Sequence, residues 1–138
     1  MHPDRGDRAP SERQVDVLLV EDDPAVSLMY QTKLEADGYR VGIAADGQEG
    51  IDLANALQPS VIVLDVQLPR RDGFEVLSAL RGAAATRAIP VVLLSNLGDG
   101  SIAARGLQLG AEQFLLKVHT TPAELSAEVG PWVQDAAP

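Results

Sequence analysis

Val61-Ile62-Val63-Leu64-Asp65 reads as a strand buried on both faces that ends in an acid. An unbroken aliphatic run, without polar alternation, is what a parallel strand covered by helices on both sides requires. Val17-Leu18-Leu19-Val20 and Val91-Val92-Leu93-Leu94 are runs of the same kind. Residues 40–44 and Phe114-Leu115-Leu116 complete a set of five strand candidates. Amphipathic stretches with their own start signals lie between them. Asp23-Pro24 offers an N-cap and a first-turn proline to a helix carrying Val26, Met29, Tyr30 and Leu34 along one face. Asp46 with Glu49, and Thr121 with Glu124, have capping-box spacing, and Pro122 stands at a first helical position. Residues 73–84 and 101–109 supply two more helices, with Gly73 easing the turn into the first of them.

Five βα units in this order imply a parallel sheet with right-handed crossovers and helices on both faces. The expected fold class is therefore α/β, a flavodoxin-like doubly wound (βα)5 arrangement with a five-stranded parallel sheet in the order 2-1-3-4-5. An eight-fold barrel needs far more than 138 residues.

Composition narrows the class further. The chain has no cysteine, which removes disulfides, thiolate metal sites and cysteine nucleophiles together. Its net charge of −9 opposes nucleic acid and anionic membranes as partners. No apolar run approaches the roughly 20 residues of a membrane helix. The charged start is unlike a secretory signal, so a cytoplasmic location is expected. Residues 1–14, mixed in charge with Pro3 and Pro10, read as a disordered tail. Residues 15–133 read as one domain, and 134–138 as a frayed end.

Polar residues fall at four of the five strand ends. The first strand runs into Glu21, Asp22 and Asp23, the third ends in Asp65, the fourth in Ser95 and the fifth in Lys117. In an open α/β sheet these ends share one edge, where ligands bind at the topological switch point. Strands must exit into water, so any one of these residues needs no further reason. Acids on neighbouring strands with a lone lysine opposite do need one. Clustered carboxylates raise one another's pKa unless a cation sits among them, and oxygen-only ligands suit Mg²⁺ or Mn²⁺. A lysine and a hydroxyl nearby suit a phosphoryl group, and an aspartate beside a metal can serve as nucleophile. Asp23 reads as a helix cap rather than a ligand.

Four stretches carry a resemblance: residues 18–24 (LLVEDDP), residues 64–73 (LDVQLPRRDG), Leu94-Ser95, and residues 110–117 (GAEQFLLK). Together, over about residues 15–130, they resemble the receiver domain of two-component response regulators. The resemblance implies that Asp65 accepts a phosphoryl group from a sensor histidine kinase or a phosphotransfer protein. It implies Mg²⁺ (or Mn²⁺) held by Asp22, Asp65 and the backbone carbonyl of Gln67, with Glu21 acting through bound water. Lys117 would contact the phosphoryl oxygens, and Ser95 would hydrogen-bond one of them. Ser95 and Phe114 would form the switch pair. Self-phosphorylation from a small phosphodonor and slow autodephosphorylation follow, without other enzymatic activity. The chain ends soon after its fifth βα unit, so a single-domain regulator is expected, monomeric or weakly dimeric, signalling to an unknown downstream protein.

Three positions depart from the family pattern. Val118 follows the lysine where proline is usual, and its peptide bond is expected to be trans, since cis costs about 2.5–4 kcal/mol before a non-proline residue. Asn96 follows the hydroxyl where alanine or glycine is usual. Phe114 replaces a common tyrosine and is expected to be mostly buried, with a small conformational change on the face built from the fourth helix, fifth strand and fifth helix. The rival reading is a receiver-shaped adaptor that docks without phosphate. An FMN carrier is disfavoured by the acids where a phosphate-cradling loop belongs.

Overall fold

The structure, a computed structural model, describes residues 15–96 and 100–133; the expected tail, residues 1–14, and the expected frayed end, residues 134–138, lie outside the described residues. The chain alternates β1 (Val17–Val20), α1 (Pro24–Ala36), β2 (Val41–Ala44), α2 (Gly47–Leu57), β3 (Val61–Leu64), α3 (Gly73–Gly82), β4 (Val91–Ser95), α4 (Gly100–Gln108), β5 (Gln113–Leu116) and α5 (Pro122–Val129). The strands pair in parallel in the order β2-β1-β3-β4-β5, as the sequence predicts.

The aliphatic runs explain this layering. Strand side chains alternate between faces, so a run with no polar residue feeds two cores at once. Leu18, Ile62, Leu64 and Leu93 meet Ala54, Phe74, Leu77 and Leu80 on the α2–α3–α4 side. Val17, Leu19, Val63 and Leu94 meet Tyr30, Leu34, Leu125 and Val129 on the α1–α5 side. β1, β3 and β4 are buried throughout, whereas edge strand β5 is only half-buried along its length.

Local signals acted with small adjustments. Asp23 caps α1, accepting from the Ala25 N–H at 2.9 Å. Thr121 and Glu124 close a reciprocal capping box at α5, and Asp72 with Glu75 closes another at α3 that the sequence reading missed. Asp46 accepts from the Glu49 N–H, but Glu49 bonds back to the Ala45 N–H at 2.7 Å rather than to Asp46. β2 begins at Val41, because the Arg40 guanidinium and backbone N–H bind the buried Asp16 carboxylate instead. Met29 is 44% exposed, and Ser27 takes its expected place on the inner face of α1. α3 stops at Gly82 rather than residue 84; Ala83 is extended and the Thr86 hydroxyl donates to the Leu80 carbonyl at 2.7 Å, turning the chain back toward β4. Among the described residues, no helix is long and apolar enough to cross a membrane.

Candidate functional site

The site is assembled where β1, β3, β4 and β5 end side by side. Glu21 leaves β1 with its N–H still bonded to Ala44 of β2 at 2.9 Å, and its Oε2 accepts from the Asp23 N–H at 3.0 Å. Asp65 leaves β3 with its N–H bonded to the Val20 carbonyl at 3.0 Å, which sets the two acids beside each other. Asp65 Oδ1 accepts from the Gln67 N–H at 3.0 Å, and the Gly73 N–H closes the loop onto the Val66 carbonyl at 2.8 Å. Lys117, the first residue past β5, reaches across the edge of the sheet. Its Nζ donates to Asp65 Oδ2 at 2.8 Å and lies 2.6 Å from Glu21 Oε1.

Glu21 and Asp65 are buried, at 3% and 5% exposure, while Asp22 is exposed. Burial pushes the Glu21 carboxyl up from its ordinary value, against the pull of Lys117 and of the Asp23 N–H, and the like charge of Asp65 adds to the rise. Burial pulls the Lys117 ammonium down, but its hydrogen bonds to Asp65 and Glu21 together outweigh that and hold it above its ordinary value. Carboxylate oxygens of Glu21, Asp22 and Asp65 come within 4.8 Å of one another. Three carboxylates and one ammonium leave a net −2, the complement of a divalent cation, and the donors are oxygens as Mg²⁺ and Mn²⁺ prefer. Among the described residues no donor reaches the Gln67 carbonyl, so it remains available as a further oxygen ligand.

Ser95, the last residue of β4, is fully buried and stands opposite Leu116 in the β4–β5 register, one residue before Lys117. Asn96 after it is exposed. Phe114 pairs in register with Leu93 and is partly buried, packed against the core on the α2–α3–α4 side, while edge strand β5 has a neighbour on one side only. The Lys117–Val118 bond is trans as expected; the chain enters a 3-10 turn, Lys117–His119, and Val118 is 73% exposed. That turn is anchored from α1, where the buried Tyr30 hydroxyl donates to the Thr120 carbonyl at 2.8 Å. Trp132 donates from Nε1 to Gln113 Oε1 at 3.2 Å and packs beside α5. Two residues of the surrounding architecture gave no motif signal. Tyr30 reads only as an apolar helix position, and Arg105 of α4, whose guanidinium lies over Phe74, drew no reading at all.

An open parallel sheet with acids from two adjacent strands and a lysine from its far edge meeting at the switch point defines an α/β domain equipped to hold a cation and an anion together. The chain belongs to the response regulator receiver domain family, which it matches over residues 17–129. Domains of this family are typically phosphorylated on aspartate, bind Mg²⁺ through an acidic cluster and interact with histidine kinases or phosphotransfer proteins. Among curated proteins it is 43% identical over 101 residues to the DNA-binding dual master transcriptional regulator RpaA of Synechocystis, covering 73% of this chain and 42% of RpaA. It therefore spans less than half of that relative's length. Among solved structures, the receiver domain of Francisella response regulator 1452 superposes with a TM-score of 0.80 at 30% identity, covering 89% of this chain and 99% of that one. Vibrio cholerae chemotaxis protein CheY4 gives 0.78 at 29% identity, covering 86% and 98%.

Proposed function

We propose that this domain receives a phosphoryl group on Asp65 from a sensor histidine kinase or a phosphotransfer protein and reports it by binding another protein. The observation that carries the reading is the Asp65 carboxylate held at 2.8 Å by the Lys117 ammonium, within the same cluster as Glu21 and Asp22. An Asp65 oxygen attacks phosphorus, the bond from phosphorus to the donor nitrogen or oxygen breaks with its electron pair leaving on the donor, and an acyl phosphate results. The protein's part is positioning and charge balance. The Gln67 N–H orients the Asp65 carboxylate, and Lys117 and Ser95 stand ready to hold phosphoryl oxygens. Mg²⁺ held by Asp22, Asp65 and the Gln67 carbonyl, with Glu21 as an outer partner, would supply charge neutralisation for the phosphoryl oxygens.

The net charge of −9 supports a protein partner over nucleic acid for this domain, and the reading places it in the cytoplasm as a monomer or weak dimer. A separate protein as the receiver of the signal is proposed beside one fact: RpaA, named as DNA-binding, is more than twice as long as the stretch it shares with this chain.

Intact-mass analysis after incubation with acetyl phosphate and Mg²⁺ tests the reading. The wild type gains one phosphoryl group and Asp65→Asn gains none; equal uptake by the variant would refute the assignment, and no uptake by either would favour the phosphate-independent adaptor. The metal site has its own test. Millimolar Mg²⁺ raises the melting temperature by binding the folded cluster alone, a stabilisation of about 2.7 kcal/mol at 100 times Kd. Asp22→Asn abolishes most of that rise, and a wild-type melting temperature indifferent to Mg²⁺ counts against the site.

A further inference from the structure

Arg105 on α4 takes no part in the chemistry above. Its guanidinium carbon lies 4.4 Å from the centre of the Phe74 ring, and it makes no hydrogen bond or ion pair with any described residue. Stacking on the ring positions the guanidinium while leaving its N–H donors uncommitted. Other arginines around the β3–α3 loop are engaged: Arg70 lies 3.6 Å from Asp46, and Arg71 donates to Gln48 at 3.2 Å. Arg105 and Phe74 form one wall of a cavity of about 520 Å³ whose other walls include Asp22, Gln67, Leu68 and Pro69. Asp22 and Gln67 also belong to the Asp65 site, so the cavity opens directly beside the place where a phosphoryl group would be transferred.

The walls specify a chemistry. Leu68, Pro69 and Phe74 offer an apolar surface for a small organic group, and the Arg105 guanidinium fork, which no described residue engages, matches the paired oxygens of a carboxylate. Asp22 and Asp72 line the same cavity and repel a pre-existing anion. Among the described lining residues Arg105 is the positive group, placed to offset that repulsion where negative charge develops on a leaving oxygen.

We propose that Arg105 and this cavity form a leaving-group subsite for acyl phosphates, a proposal that rests on Asp65 being the phosphoacceptor. Asp65 bonds to phosphorus, the bond between phosphorus and the acyl oxygen breaks, and its electron pair departs on that oxygen as a carboxylate. No proton moves. The Arg105 N–H donors receive the charge as it develops.

Two donors that differ in the leaving group test this. Acetyl phosphate releases a carboxylate, whereas phosphoramidate releases neutral ammonia from a nitrogen that already carries its protons. Rates of Asp65 phosphorylation are measured for each donor, with Mg²⁺, in wild type, Arg105→Ala and Arg105→Lys. Arg105→Ala lowers the acetyl phosphate rate about tenfold, less than loss of a fully buried donor because the side chain is exposed. That loss is at least about fivefold larger than the loss with phosphoramidate, and Arg105→Lys, which keeps the charge without the planar fork, falls between wild type and alanine. An equal loss with both donors would assign Arg105 a purely structural role on α4 and overturn the subsite, as would no loss with either. Wild type labelled by neither donor would instead bring down the Asp65 reading, and the subsite with it.

Discussion

Lys117→Met destabilises the domain by about 3 kcal/mol at pH 7 and slows phosphorylation of Asp65 by about a hundredfold. The first figure is the low end of the cost of breaking a buried ion pair, chosen because the Lys117 side chain keeps 14% exposure. The second is the cost of removing one preorganised donor from developing negative charge. Without the ammonium, Glu21 and Asp65 face each other at 3% and 5% exposure with no compensating cation. Glu21, already above its ordinary 4.5, then rises further. A carboxyl raised in the folded state contributes stability that is present below its unfolded value and lost as pH rises through the folded one. The deficit of the variant therefore shrinks as pH falls toward 4.5. The raised Lys117 gives the wild type the matching alkaline limit: its contribution is complete below 10.5 and lost as pH climbs through the higher folded value. Urea titrations across pH, with and without Mg²⁺, measure both, and Mg²⁺ returns more stability to the variant than to the wild type. A Lys117→Met protein as stable as wild type at pH 7 would mean that the ammonium does not hold these acids.

Gly73→Ala is expected to cost about 3 kcal/mol, the upper end of overpacking, and to shrink the Mg²⁺-dependent rise in melting temperature. A Cβ built at Gly73 would lie 2.4 Å from the Asp65 carbonyl oxygen and 2.6 Å from Val66 Cα. Both obstacles are backbone, which has no rotamer to give. Relief must come from moving the loop that carries the Asp65 side chain and the Gln67 carbonyl, so stability and metal binding are lost together. Gly82→Ala is the control: a Cβ there meets nothing within 4 Å, and the exchange favours the helix by about 0.4–1 kcal/mol. Thermal melts of the two variants with and without Mg²⁺ separate the cases. A Gly73→Ala protein with wild-type stability and Mg²⁺ response would show that the loop is not held against α3.

The sequence anticipated Gly73 as a residue easing the chain into α3, and that reading caught its place but not its reason. No periodicity reports that the start of α3 is pressed against the backbone of residues 65 and 66. Met29 shows the same limit. An apolar residue at helical spacing belongs to the inner face only if the neighbouring helix covers that angle, and the α1–α5 contact centres on Ser27, Tyr30 and Leu34 instead. Phe114, expected to be mostly buried, does pack against the core, but its residual exposure is set by β5 being the edge of the sheet.

What the sequence determined by itself was everything carried by local pattern. Unbroken aliphatic runs such as residues 61–64 set the parallel, doubly covered strands, Asp23, Thr121 and Pro122 set helix starts, and the acids and lysine at strand ends marked the candidate site. Only the tertiary structure decided how those groups meet. Lys117 and Asp65, 52 residues apart, come to 2.8 Å because β4 alone separates β5 from β3, and Glu21 joins them because β1 lies on the other side of β3. The stacking of Arg105 on Phe74 arose in the same way, from tertiary packing that brings Arg105 and Gly106 of α4 over Phe74 of α3. Spacing along the chain encodes which residues share a face of one element; which elements share an edge follows from burying both faces of the sheet at once, and that is settled only when the whole domain packs.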